Sequence, residues 1–208
     1  MPSLGVSHFA LPEQGGVERA PETIFSHRMP GASDEELLQN AVMLVVEANQ
    51  EGNILIVDVS ITNDQTGHHV PTDSPLRQLI LLVQAQGSGD EALELLDGPV
   101  VPEWGGIGNP DDGYYAGMPG KGYAKILMEM WTEITPTSAY WNPTQVISDN
   151  RLAAFETDTS VYHFAMPEDG SATVTITLLF RRAFIELKDQ KGWDTPDFVM
   201  EKEILSLP

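Results

Sequence analysis

The strictest constraint on this chain is the alternation across Thr173–Arg181. Val174, Ile176, Leu178 and Phe180 fall on every second residue, with Thr173, Thr175 and Thr177 between them. A period of two puts one set on each side of an extended backbone, so this stretch is a strand with one apolar face. Leu55, Val57, Val59 and Ile61 repeat the pattern. Other strand-length apolar runs are Ala41–Ala48, Gln78–Gln86 and Ser160–Ala165, with shorter candidates at Glu91–Leu96, Tyr140–Val146 and Leu152–Phe155. Gly- and Pro-rich turns separate them, and Asn49–Asn53 has the chemistry to close the first two into a hairpin. Tyr123–Trp131 fits strand or helix, Ser33–Leu38 a short helical turn, and Phe184–Lys191 a short helix. Phe198–Leu207, mixed apolar and acidic, reads as a tail lying on the body.

Many short strands with little helix predict an all-β antiparallel sandwich, Ig-like or jelly-roll-like, with long loops. Residues 1–32 are Pro/Gly-rich and aperiodic and read as an extended arm, leaving 33–208 for the sandwich. The longest irregular stretch, Asp97–Gly122, holds Trp104, Tyr114 and Tyr115. A loop of that length is packed down by its own aromatics or used as a ligand-gripping surface for a glycan or peptide.

Composition excludes several function classes. With 11 basic and 31 acidic residues the net charge is −20, spread along the chain. Such a surface repels nucleic acid and anionic membranes and favours a basic partner. The chain has no cysteine, so disulfides, thiolate metal sites and covalently attached c-type haem are excluded within it. No apolar run reaches the roughly 18–20 residues that span a bilayer, and no secretory leader is visible. Nucleophile elbows, Walker loops and dinucleotide fingerprints are all missing, so no catalytic residues and no enzymatic activity are assigned.

The densest gathering of polar chemistry is Thr66–Pro75, with His68 and His69. Neighbouring histidines on an extended backbone diverge, so a metal would need further donors such as Asp73 or His163. The simpler reading is a rigid turn, with Gly67 permitting it, Pro71 and Pro75 stiffening it, and an imidazole bonded to a carbonyl. Asp111-Asp112-Gly113 and Glu168-Asp169-Gly170 lack calcium-loop spacing and read as turns. Asp149 and Arg151 are spaced for a bidentate clasp, and Arg181-Arg182 for meeting acids of the same sheet. His8 and His27 sit in the arm, where a core role is less natural.

A series of motifs gives these residues a context: Ser26-His27-Arg28-Met29-Pro30-Gly31, Val59–Asn63 leading into Gly67–Thr72, Gly117–Lys121, Ser148–Arg151 and Leu178–Arg182. In order and spacing this series resembles the C-terminal, haem-free region of bacterial multihaem c-type cytochromes. Asp73 and Asn150 depart from the Gly and Thr usual in that family. The resemblance implies a structural or docking role in electron transfer in the periplasm or cell exterior. The partners would be the parent's haem domain or redox proteins. It further implies that haem c is carried by the parent and none by this chain, and that His27 is a distal axial ligand to one of those haems. Met1-Pro2 resembles the residues that follow a Cys-x-x-Cys-His motif in such proteins, which implies that the chain is a fragment of a longer one.

Overall fold

The computed structural model describes residues 11–17, 25, 31–72, 74–168 and 170–208. The chain divides into two compact units, Met1–Asp34 and Glu35–Pro208. Within the first, Pro12–Gln14 and Gly31–Ser33 are single 3-10 turns. His8 and His27 lie outside the described residues.

The second unit is a sandwich of two antiparallel sheets. It opens with α1 (Glu35–Gln39) and the hairpin β1 (Met43–Glu51) and β2 (Ile54–Thr62), turned at Gly52. There follow β3 (Gln78–Gly87), β4 (Leu95–Asp97), β5 (Gly120–Glu129), β6 (Thr144–Asp149), β7 (Thr157–Ala165) and β8 (Ala172–Arg181). The chain closes with α2 (Ile185–Lys191) and β9 (Phe198–Leu207). One sheet runs β1-β2-β7-β4, the other β6-β5-β3-β8-β9. The all-β antiparallel sandwich expected from the alternating runs is what forms.

The core lies where the alternation places it. Leu55, Val57 and Ile61 of β2, with Tyr162 and Phe164 of β7, turn inward from the first sheet. Leu79, Leu81 and Val83 of β3, Ile176 and Leu178 of β8, and Tyr123 of β5 meet them from the second. Each of the aliphatic side chains and Phe164 contributes about 1.5–3 kcal/mol by leaving water. The sheets are also tied by a polar contact, since Asp158 of β7 accepts from Lys121 Nζ at 2.7 Å and from Tyr123 Oη at 2.8 Å.

The unbroken apolar run Leu79–Val83 has a second cause. Ile80 and Leu82 face away from the sandwich interior and are buried all the same. They meet Leu179 and Val101 beneath Trp104, Tyr115 and Met118 of the loop that the sequence leaves irregular. β3 is therefore covered on both faces, which is why it loses the period-two pattern. Ala124, Ile126 and Phe184 continue this outer layer, with Leu76 and Trp104 packed on it.

Several segment expectations are corrected. Phe198–Leu207 is not a loose tail but strand β9, paired with β8 along its length. Its Glu201, Lys202 and Glu203 blunt an edge strand, which needs only one part-buried face and so reads as polar. Glu91–Leu96 does not form one strand. Ala92 bridges Gln86 on the second sheet, and only Leu95–Asp97 joins β7 on the first, so the segment crosses between sheets. Tyr123–Trp131 resolves as strand β5, beginning at Gly120. The strand sought at Tyr140–Val146 starts after Pro143 instead, and Leu152–Phe155 makes a single bridge, Val70 with Leu152. The short helix at Phe184–Lys191 forms as α2, capped by Gly192 in the left-handed region at φ 63°.

Candidate functional site

The covering loop is held down by one arginine. Arg181, at the end of β8, is 2% exposed. Its Nε and Nη2 donate to the two carboxylate oxygens of Asp197 at 2.9 and 2.6 Å. Nη1 donates to the Gly105 carbonyl at 2.9 Å and Nη2 to that of Gly113 at 2.5 Å. The guanidinium also lies 5.2 Å from the Tyr115 ring centroid. The planar fork thus joins β8, the 3-10 turns Glu103–Gly105 and Pro110–Asp112 of the covering loop and the segment before β9, which a lysine's point charge could not do. Trp104 packs edge-on against Phe184 at 6.2 Å between centroids. A Cβ on Gly122 would collide with the Trp104 indole, so β5 needs glycine at that spot to admit the ring.

Asn63 plays the same part for the histidine turn. It is fully buried, donating from Nδ2 to the carbonyls of His68 (2.7 Å) and Leu152 (3.1 Å). Its Oδ1 accepts from the Thr66 hydroxyl at 2.5 Å and the Thr66 amide at 3.3 Å. Asn150 does likewise beside β5, accepting from Ala124 N at 2.9 Å and donating to Gly122 O at 2.6 Å.

These braces shape a broad groove of about 1150 Å³ on the outer side of the second sheet. Trp104, Ile126 and Phe184 lie on one side of its lining, and Ile134, Trp141 and Ile147 come from β6 and the loop before it. Leu187 and Trp193 add the α2 side. A register shift between Ile126 and Leu127 marks a bulge in β6, which turns the consecutive Ile147 and Ser148 toward the same groove. Four charged side chains line it: Glu103, Glu129, Glu186 and Lys191. Glu129 is 7% exposed and accepts from Thr132 (2.7 Å), Asn142 (2.8 Å) and Thr137 (3.0 Å). Donation by Thr132, then Asn142 and Thr137, outweighs burial and holds its carboxyl below the usual range, so it stays ionised near neutral pH.

The residues singled out from sequence fall in separate places. His68 and His69 are exposed, and His68 Nδ1 lies 3.0 Å from the His69 carbonyl. Asp73 lies outside the described residues, and His163 stands on β7 with Nδ1 3.5 Å from Asp97. Among the described residues no three His, Asp or Glu side chains gather as a metal site. Asp149 and Arg151 form a bidentate pair at 2.7 Å at the end of β6, and the Arg151 bonds hold the Asp149 carboxyl low. Of the loop aromatics, Trp104 reaches the groove; Tyr114 donates to Asp189, and Tyr115 packs under Arg181. Trp141, Trp193, Ile134 and Glu129 escaped notice because each is unremarkable in its local sequence. The one legible signal was a density of tryptophan in a loop-rich half.

No family model matches the chain, and no curated protein matches it in sequence. The fold does have a counterpart in the crystal structure of a penta-heme cytochrome c552 from Thermochromatium tepidum. The TM-score is 0.64 at 18% identity, over 87% of this chain and 43% of that one. The likeness is one of fold. At that identity the correspondence fixes architecture, and this chain spans under half of the cytochrome's length. The sandwich fold therefore also occurs within a multihaem protein.

Proposed function

We propose that this chain is a haem-free β-sandwich region of a multihaem c-type cytochrome, with a structural and docking role and no catalysis of its own. The observation that carries the reading is the fold correspondence with part of a penta-heme cytochrome across 87% of the chain. The lack of cysteine agrees with it, because c-type haem is anchored through cysteine thioethers. The ordered motif series from Ser26 to Arg182 supports the same family. Haem c would be held by the remainder of the parent, in the periplasm or at the cell exterior, and the partners would be that haem region or its redox proteins. His27 is proposed as a distal axial ligand, since neutral imidazole is a common haem ligand. Among the described residues no helix is long and apolar enough to cross a membrane.

Reading the genomic DNA on either side tests this. Cys-x-x-Cys-His codons in frame upstream of Met1, or in an adjoining gene, are expected. Their absence from both would overturn the proposal. For His27, the parent with His27→Ala is expected to show a low-spin haem turned high-spin in its visible spectrum, and an unchanged spectrum would remove the ligand assignment.

A further inference from the structure

We infer that the groove is a docking site for a basic polypeptide segment carrying apolar side chains between its lysines or arginines. Three observations lead there, and they hold whether or not the chain serves a haem protein. The first is the exposed apolar surface gathered at one place. Ile107 is 74% exposed, Trp141 70%, Ile134 56%, Ile147 51% and Trp193 47%, and all five line this groove. Single exposed apolar residues are ordinary, whereas a contiguous set around a concavity marks an interaction surface. Tryptophan is also the side chain that most often anchors such contacts.

Charge sets the occupant. Glu103, Glu129 and Glu186 outnumber Lys191 among the charged residues of the lining, on a chain of net charge −20. A second copy of the chain would bring another −20, and a polyanion would be repelled outright. Glu129 is the third observation. It is nearly buried and ionised, yet its partners are two hydroxyls and an amide, all neutral. Among the described residues no lysine, arginine or histidine lies within ion-pair distance of it. Buried charges are ordinarily paired, so an incoming ammonium or guanidinium supplies what the fold leaves out. A small free amine would fill little of about 1150 Å³ and leave the apolar walls wet. A neutral glycan could stack on the indoles and donate hydroxyls to the carboxylates, but it would leave the excess negative charge of the lining uncompensated. A basic segment with intervening aliphatic residues uses both.

The full-length chain is titrated, at about 0.15 M salt where diffuse surface attraction is screened, with fluorescein-labelled Gly-Lys-Leu-Arg-Ile-Lys-Val-Gly. Saturable binding with a Kd on the order of 10 µM is expected. The charge-reversed Gly-Glu-Leu-Asp-Ile-Glu-Val-Gly and the apolar-free Gly-Lys-Ser-Arg-Ser-Lys-Ser-Gly should each bind at least about tenfold more weakly. Glu129→Gln and Trp141→Ser should each weaken the first peptide by about tenfold, while Glu47→Gln, on the far sheet, leaves it unchanged. Trp141 is exposed, so its variant reads the groove even if Glu129→Gln disturbs folding. Equal binding of the Lys-Ser peptide, or equal effects of Glu47→Gln and Trp141→Ser, would overturn the inference in favour of diffuse charge attraction. No saturation by any peptide up to about 1 mM would also overturn it, as would saturation by a neutral oligosaccharide or concentration-dependent dimerisation blocked by Trp141→Ser.

Discussion

Replacing Arg181 by alanine tests the bracing of the covering loop. The substitution leaves the Asp197 carboxylate, whose side chain is 15% exposed, without its partner, and strips the Gly105 and Gly113 carbonyls of theirs. Breaking a buried ion pair from one side costs about 3–5 kcal/mol, because the surviving charge stays desolvated. With a urea slope of about 3 kcal/mol/M for a domain of this size, a loss of about 4 kcal/mol moves the unfolding midpoint down by about 1.3 M. Equilibrium urea unfolding followed by circular dichroism reads this directly. The internal standard is Arg151→Ala, which removes an equally short bidentate pair with Asp149 at the end of β6. That loss should be smaller, about 1 kcal/mol, since this pair is only part-buried, its side chains being 17% and 31% exposed. Arg181→Lys, retaining charge but not the fork, should fall between. Equal losses for Arg181→Ala and Arg151→Ala would refute the reasoning, because then burial would not be what gives Arg181 its weight.

Other outcomes follow from the same geometry. Asn63→Ala removes four hydrogen bonds from a fully buried site and should cost about 2–3 kcal/mol in thermal or urea unfolding, with loss of protection at the Thr66 amide in hydrogen exchange. Gly122→Ala should destabilise by about 1–3 kcal/mol through overpacking and shift the Trp104 emission as the ring is displaced. Glu129 has a folded pKa below its unfolded value of about 4.3, so its contribution is fully present above that value and is lost as pH falls through the folded pKa. The stability gap between wild type and Glu129→Gln should therefore be constant near neutral pH and shrink in acid, as unfolding at stepped pH will show. Glu201 runs the other way, since burial and then the charge of Glu203 raise its pKa. Glu201→Gln should stabilise at pH 7, with the gain disappearing once pH drops below the unfolded carboxylate range.

Much of the sandwich is legible in local pattern. Strand periodicity over Leu55–Ile61 and Thr173–Arg181 follows from a backbone that sends successive side chains to opposite faces, so one buried face writes itself into the sequence. The absence of cysteine and the charge of −20 are likewise complete in the sequence. Strand β9 was not legible, because an edge strand with Glu201, Lys202 and Glu203 carries the same polar signature as a solvated tail. Nor was β4, whose three residues depend on which sheet the chain is crossing toward.

The braces and the groove belong to tertiary structure alone. Asp149 and Arg151 are two residues apart and could be paired on paper. Arg181 draws its partners from 16, 68 and 76 residues away, and no spacing rule reaches that far. Glu129, Trp141, Ile147 and Trp193 come from four separate stretches and acquire meaning only when the covering loop, the β5–β6 hairpin and α2 converge on one sheet face. Sequence by itself determined which residues must leave water and how many charges must remain in it. Folding decided which of those charges meet and which exposed indoles stand together, because long-range packing, and not local periodicity, sets such distances.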